Sequence, residues 1–408
     1  MRKFFAKIFI SLVLRHVARG RKWFLFKPLL RPIFGRHADN AQNLFNFLSE
    51  SEINPFSEIR FTTIEPEKRV DVLALSNTLH PFIGGGPRSF FNALVKLSEK
   101  GLRVSAICLG YRKQTYRHQG IVIHHVLNEK EASELAASIT PAVVISQQAW
   151  IDLPRRYSLH PNVPHVLMLR DTNDIGPFTP GKEELGLAEN HDFLQSLYAQ
   201  AALVVANSDY IARQFREHFS MDCDVMHPGI ERPNTEELVS TPLRQFITGV
   251  VSNERKGRRI AKNLANRFKK NLFLFASTVP TKVGEKAQPN VLKRHNLEPA
   301  VMYMATRIMI IPSQWPEPFG RVSVEAMSRG IPVLASKIGG LPEAVCDDEF
   351  LVENFTDIDA WCECLGSLLR KDPVNLRNKS LRLAEDYFKR QAIEETRFIE
   401  KISALAKL

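Results

Sequence analysis

A short apolar run, Arg307 to Ile311, leads into Pro312-Ser313-Gln314-Trp315-Pro316-Glu317-Pro318-Phe319-Gly320, and a stretch with helical periodicity containing Glu325 follows. A second apolar run, Ile331 to Ser336, then ends in Gly339-Gly340-Leu341-Pro342-Glu343-Ala344. Apolar run, helical stretch, apolar run, Gly-rich loop and helix make up a parallel βαβ unit. Glu317 is therefore expected at the carboxyl end of a strand, where open α/β sheets bind ligands. Glu325 falls about one turn into the helix. The free N–H groups near Gly320 and Arg321 are expected to form an anion site, helped by the helix dipole.

The same alternation runs through most of the chain. Strands are predicted at Val70 to Leu75, Val104 to Leu109, Ile121 to Val126, Ala142 to Ile145, His165 to Leu169 and Ala202 to Ala206. Between them lie helical stretches at Pro87 to Lys100, Glu129 to Ala137 and His191 to Gln200, with another from Asp209 to His218. Strands alternating with helices imply doubly wound parallel sheets, and 408 residues suffice for two separate cores. A second series starts with Phe246 to Val251, so the expected boundary is Arg232-Pro233-Asn234-Thr235. The expected domains are 68–233 and 234–375, preceded by a linker or short helices over 38–67. Helices over 376–408 end the chain.

The formal charge of +11 is concentrated at one end: Met1 to Arg36 holds ten Lys or Arg and no Asp or Glu. The rest of the chain is nearly neutral, which argues against a nucleic-acid-binding body. Lys3, Lys7, Ser11, Arg15 and Arg19 recur every four residues, while Phe4, Phe5, Ile8, Phe9, Leu12 and Val13 cover another face. Residues 1–37 thus read as a basic amphipathic segment suited to an anionic membrane surface, with Trp23, Phe24 and Phe26 as further anchors. A helix packed on the protein, or a tail, is the other reading. Phe4 to Leu14 is too short to span a bilayer, and Arg15, Arg19, Arg21 and Lys22 stand where a signal peptide would be cleaved. The five cysteines include no CxxC pair, and their odd number gives no disulfide framework. A reducing, cytoplasmic location, peripheral on the inner face of the cell membrane, fits best.

Pro-Ser, Glu-Pro-Phe-Gly-Arg, Glu-Ala-Met, Gly-Ile-Pro-Val and Gly-Gly-Leu-Pro-Glu, in that order, resemble the donor-binding core of family 4 glycosyltransferases. The resemblance implies the GT-B fold, two Rossmann-like domains facing a cleft, with a terminal helix crossing back to the first. It implies a hexosyltransferase that retains anomeric configuration and uses a nucleotide diphosphate sugar. Lys256, in Asn-Glu-Arg-Lys-Gly, matches the family's phosphate-binding Lys. Glu317 would face the transferred sugar and Glu325 would take the ribose hydroxyls. Phe319, Gly320, Arg321 and Val322 would supply backbone N–H groups. Gly84, Gly85 and Gly86, before Pro87, resemble the glycine loop beside the donor diphosphate.

Asp171 stands where many relatives keep a His-Asp pair near the reacting sugar, with Arg170 in place of the His. Orienting or deprotonating the acceptor and capping the next turn are equal readings of Asp171, and Asn207-Ser208 likewise matches the family or caps a helix. The chain departs from the family at Val250, where an Arg is usual. Arg255 and Arg321 are the candidates to replace that charge. Asp222-Cys223-Asp224 has the form of a metal-binding DxD but reads as a solvated loop, so neither an essential metal nor a cofactor is expected.

The reaction implied is glycosyl transfer to a glycan or lipid-linked glycan, in surface polysaccharide or lipopolysaccharide synthesis. A nucleotide-sugar epimerase or hydrolase on the same fold, and a decayed membrane-docked binding protein, are the alternatives. If the basic segment is the membrane contact, deleting residues 1–36 abolishes co-sedimentation with anionic liposomes and leaves donor turnover intact; unchanged sedimentation counts against it.

Overall fold

In a computed structural model of the chain, the described residues are 64, 65, 67–79, 84–175, 191–233, 244–277, 288–295 and 297–407. The basic segment 1–37 and most of the expected linker lie outside them. The chain divides into two compact units. Glu58–Ile230 joins Phe388–Leu408 in one, and Glu231–Tyr387 forms most of the other.

In the first unit, β1 (Arg69–Ser76), β2 (Val104–Leu109), β3 (Gln114–His118), β4 (Ile121–Val126), β5 (Thr140–Gln147), β6 (His165–Leu169), β7 (Leu203–Ala206) and β8 (Asp224–Val225) form one sheet in the order β3-β4-β2-β1-β5-β6-β7-β8. All neighbours are parallel except β3 and β4. Parallel strands buried on both faces carry continuous apolar runs, and β1 illustrates it. Val72 and Ala74 pack into one cluster with Phe90, Phe91 and Leu94 of the helix Gly85–Glu99. Val70, Leu73 and Leu75 pack into another on the opposite face.

The strand β3 is absent from the sequence reading. Its residues, Gln-Thr-Tyr-Arg-His, are polar on average, and only Tyr116 is buried. Gln119 and Gly120 join it to β4, both with positive φ, as a tight hairpin turn requires. Ile64, from the expected linker, donates its N–H to the carbonyl of Thr115 on this strand.

The second unit holds β9 (Phe246–Val250), β10 (Leu272–Ser277), β11 (Val291–His295), β12 (Thr306–Ile311), β13 (Val333–Ser336) and β14 (Leu351–Val352), in the order β11-β10-β9-β12-β13-β14 and parallel throughout. Counted from β9, this is the 3-2-1-4-5-6 order of nucleotide-binding sheets, whose ligand crevice lies where the order reverses. That point is between the carboxyl ends of β9 and β12.

A single helix, Pro373–Leu405, runs through the C-terminal region. Its portion beyond Phe388 belongs to the first unit, where Phe398 and Ile402 enter the core cluster below β1 and β2. Ile402 is fully buried. Ile402→Ala is therefore expected to cost about 2–5 kcal/mol in chemical denaturation of the full chain. A cost within about 0.5 kcal/mol would mean that the helix merely rests on the surface.

Candidate functional site

The crevice of the second sheet is assembled from three loops, and glycine decides how closely they approach. Gly257 follows β9 with φ 75°, and a Cβ there would lie 1.8 Å from the carbonyl oxygen of Pro312, just past β12. No other residue type lets these two loops touch. The contact is laced by Gln314, whose N–H donates to the carbonyl of Arg255 at 2.7 Å. The loop after β13 closes from the other side: Gly340 donates its N–H to the carbonyl of Glu317 at 2.7 Å, and a Cβ on Gly339 would meet that oxygen at 2.5 Å.

This lacing brings Lys256 and Glu317 together from 61 residues apart. The ammonium Nζ lies 2.6 and 2.8 Å from the two carboxylate oxygens. Ser313 Oγ and Trp315 Nε1 also donate to Oε1, at 3.0 and 3.2 Å. The Glu317 side chain is only 9% exposed, against 37% for Lys256, so the pair has a fixed buried acceptor and a cation that reaches solvent. Charge-assisted hydrogen bonds of this length are among the stronger polar contacts.

Glu325 sits on the helix Arg321–Met327, seven residues long. Two turns carry only a short dipole, so the anion site expected there would rest mainly on backbone N–H groups. Gly320 precedes the helix with φ 107° and no side chain caps it. The Glu325 carboxylate is held between the hydroxyl of Tyr303, at 2.7 Å, and the guanidinium of Arg321, at 2.9 and 3.2 Å. Burial, with Glu325 beside it, holds Tyr303 well above the ordinary phenol range, so it stays a donor. Tyr303 escaped the sequence reading because it lies in an ordinary apolar helix, Pro299–Ala305.

Of the two candidates to replace the missing cation at Val250, Arg321 is engaged with Glu325. Arg255 instead lays its guanidinium 4.1 Å above the ring of Trp315, and Lys256 approaches the same ring at 5.6 Å. Arg255 is exposed, so its charge lies on the open side of the Lys256–Glu317 pair. Phe319 is 2% exposed and packs on Tyr387, which leaves it only a backbone contribution. Val322 is half-buried.

In the first unit the corresponding reversal lies between β1 and β5. Gly84 has φ 96° and starts the helix Gly85–Glu99 with no side-chain cap and no acidic residue in its first turn. Gly86 lies against Gln148, whose Nε2 would be 3.3 Å from a Cβ there. At the ends of β1, β5 and β6, Arg170 Nε donates to Gln147 Oε1 at 3.2 Å and Gln147 Nε2 to Ser76 Oγ at 2.9 Å.

Asp171 caps the short turn Thr172–Asp174, accepting from the N–H of Asn173. Asp174 answers by accepting the N–H groups of Arg170 and Asp171 at 2.6 and 2.8 Å. Ser208 caps the helix Asp209–Phe219 through the N–H of Ile211, and Asn207 Nδ2 donates to the carbonyl of Arg170. Asp222 pairs with Arg216 and Asp224 with Lys401, both at 2.5 Å. The DxD carboxylates thus serve two separate ion pairs.

Residues 281–385 match the family model described as Glycosyl transferases group 1. The match covers about a quarter of the chain. It contains Glu317, Tyr303 and Glu325, whereas Lys256 precedes it. The D-inositol 3-phosphate glycosyltransferase of Corynebacterium glutamicum is 39% identical over 82 residues, 20% of this chain and 19% of that protein. Its counterpart in Mycolicibacterium smegmatis is 27% identical over 225 residues, 47% of this chain and 51% of that protein. The chain thus matches from about a fifth to about half of the length of these curated relatives.

Among solved structures, sucrose-phosphate synthase from Thermosynechococcus elongatus superposes with TM-score 0.66 at 16% identity, over 83% of this chain and 100% of that one. WaaG, a glycosyltransferase involved in lipopolysaccharide biosynthesis, superposes with TM-score 0.56 at 15% identity, over 77% and 95%. The fold is the GT-B fold of such glycosyltransferases.

Burial raises the Asp174 carboxyl from its ordinary 3.8 to about 7. A carboxyl raised on folding favours the folded state fully below its unfolded value, and that stability is lost as pH rises through the folded value. The melting temperature should therefore carry a contribution that falls between pH about 4 and about 7. Asp174→Asn keeps an acceptor oxygen for both N–H groups and should flatten this fall; parallel melting curves across pH would refute the assignment.

Proposed function

We propose that this protein is a retaining glycosyltransferase that moves a sugar from a nucleotide diphosphate donor to a hydroxyl of a glycan or lipid-linked glycan. The observation that carries this is the Lys256–Glu317 pair at the reversal point of a nucleotide-binding sheet, with Glu325 on the helix that follows. Anabaena HepE, solved in complex with UDP and glucose, shares the fold with TM-score 0.58 at 16% identity, over 83% of this chain and 97% of that one.

The pair is arranged for exchange. When a donor enters, Lys256 Nζ turns from Glu317 to the diphosphate, and the sugar hydroxyls replace it on the carboxylate. Each charge keeps a partner throughout, so neither is left buried and bare. Ser313 and Trp315 keep Glu317 aimed while this happens. As the glycosidic bond to the donor breaks, negative charge grows on the leaving diphosphate, where Lys256 and Arg255 stabilise it without reorganising. Glu325 accepts the ribose hydroxyls, and its Tyr303 and Arg321 partners fix the direction of its lone pairs.

Among the described residues no nucleophile-base pair accompanies these groups, and in this reading a leaving phosphate oxygen takes the proton of the attacking hydroxyl. Of the first unit's candidates, Asp171 is read as orienting or deprotonating the acceptor hydroxyl, and the glycines 84–86 as belonging with the donor diphosphate. The basic segment 1–36 would hold the protein at the membrane face where a lipid-linked acceptor lies, as in the assembly of a surface polysaccharide or lipopolysaccharide.

Val250, where the family resemblance implies an Arg, motivates the alternative of a non-catalytic binding protein, and calorimetry separates the two. A nucleotide diphosphate should bind the unaltered protein, and Lys256→Ala should weaken it roughly 10- to 100-fold, the worth of a charge-assisted hydrogen bond. Glu325→Ala should weaken the nucleotide while leaving pyrophosphate binding nearly unchanged. Failure of every nucleotide diphosphate to bind would defeat the proposal. Donor consumed at full rate without any acceptor would favour a hydrolase or epimerase.

A further inference from the structure

Trp315 lies between the carboxylate and the cations of the second unit's site, and it meets them with different parts of one side chain. Its Nε1 donates to Glu317 Oε1 at 3.2 Å. The guanidinium carbon of Arg255 is 4.1 Å from the centre of its ring, and Lys256 Nζ is 5.6 Å from that centre. An indole N–H points along the ring plane, whereas cations gather over the face, where the quadrupole is negative. The two contacts therefore do not compete.

The local sequence holds the indole for both tasks. Trp315 and Glu317 each precede a proline, which disfavours helical backbone at both positions and removes much of their freedom before a ligand arrives. Ser313 Oγ lies 3.1 Å from the carbonyl of Trp315 and 3.0 Å from Glu317 Oε1. Gln314, the neighbour of Trp315, donates its N–H to the carbonyl of Arg255. The indole is thus tied both to the loop that carries the cations and to the carboxylate that faces them.

Arg255 gains most from this. A long, exposed side chain samples many rotamers, and ordering it on a ligand costs entropy. With its guanidinium already laid on the ring, the charge stands in place before a diphosphate arrives. Tryptophan offers the best face for a cation, and its nitrogen can only donate. Phenylalanine keeps a face and lacks the donor, and methionine lacks both, so the two tasks can be removed one at a time.

We propose that Trp315 is a positioning residue that joins the two halves of donor recognition. Its ring holds Arg255 ready for the diphosphate, in the role of the cation missing at Val250, and its N–H keeps Glu317 aimed at the sugar. The inference rests on the reading of the donor site given above. Loss of the N–H alone is then felt only by a ligand that carries a sugar. Loss of the ring is felt by any ligand with a diphosphate, and only through Arg255.

The test titrates pyrophosphate, UDP, ADP, GDP and the glucose conjugate of each nucleotide by calorimetry, and follows the nucleotide that the unaltered protein binds most tightly. The variants are Trp315→Phe, Trp315→Met, Arg255→Met and the double substitution, each checked for folding by thermal melting. Trp315→Phe should weaken the sugar conjugate about tenfold, the worth of a hydrogen bond to a charged group, and leave pyrophosphate and the free nucleotide within about twofold. Trp315→Met should also weaken pyrophosphate about two- to fivefold. With Arg255 already Met, the same substitution should change pyrophosphate binding less than about 1.5-fold. Trp315→Leu repeats the cycle if the Met variant does not fold.

Equal weakening of every ligand by Trp315→Phe overturns the proposal, since the indole would then only support the loop. A full loss of pyrophosphate affinity from Trp315→Met in the absence of Arg255 overturns it as well. If nothing binds the unaltered protein, pyrophosphate included, the donor reading itself has failed. If the ligands bind and the substitutions at Trp315 change none of them, only the role of Trp315 has failed.

Discussion

The approach of Gly257 to the carbonyl of Pro312 is the constraint on which the second unit's site depends. The loops after β9 and β12 meet there at a separation that excludes a Cβ, and the Arg255–Gln314 hydrogen bond holds them in register. Everything of chemical interest nearby follows from that contact. Lys256 is the residue before the glycine, so its side chain has little choice but to cross the crevice, and Glu317 is close enough to receive it with both oxygens. The glycines 339 and 340 do the same from the third loop, pressing on the backbone of Glu317. The carboxylate is thereby positioned by main chain on two sides before any side chain bonds to it.

Much of this was legible in the sequence, for identifiable reasons. Parallel strands buried on both faces leave long apolar runs, so β1, β2, β4, β6 and β12 stand out, and Gly-rich turns mark where they end. The hairpin strand β3 was not legible, because an edge strand with a single buried residue, Tyr116, carries no hydrophobic signature. The long terminal helix was visible as helical, and only the family resemblance implied that its end returns to the first domain. Phe398 and Ile402 enter a distant core without any local sign that their partners lie some 300 residues upstream.

The site was legible as residue types and not as pairings. Spacing placed Glu317 and Glu325 on one loop and helix, yet their partners are non-local: Lys256 for the first, Tyr303 for the second. Arg321 was open to two readings. On a helix, a residue and the one four further on share a face, and Glu325 is that residue, so the guanidinium turns to the carboxylate. Asp171 shows the same competition. The N–H groups of a tight turn need acceptors, and Asp171 and Asp174 supply them reciprocally.

The two carboxylates of the opening motif differ in what holds them, and the difference bears on their roles. Glu317 receives an ammonium, a hydroxyl and an indole N–H, of which only the ammonium is mobile enough to leave. Glu325 receives a buried phenol and a guanidinium that is only 11% exposed, and neither has anywhere to go. A carboxylate surrounded by donors is suited to accepting hydrogen bonds and poorly suited to delivering a proton. A general acid-base pair would need one carboxyl in an apolar setting, and both positions are lined by hydrogen-bond donors. Two fixed acceptors, one with an exchangeable cation, are instead the arrangement that the proposed donor clamp requires.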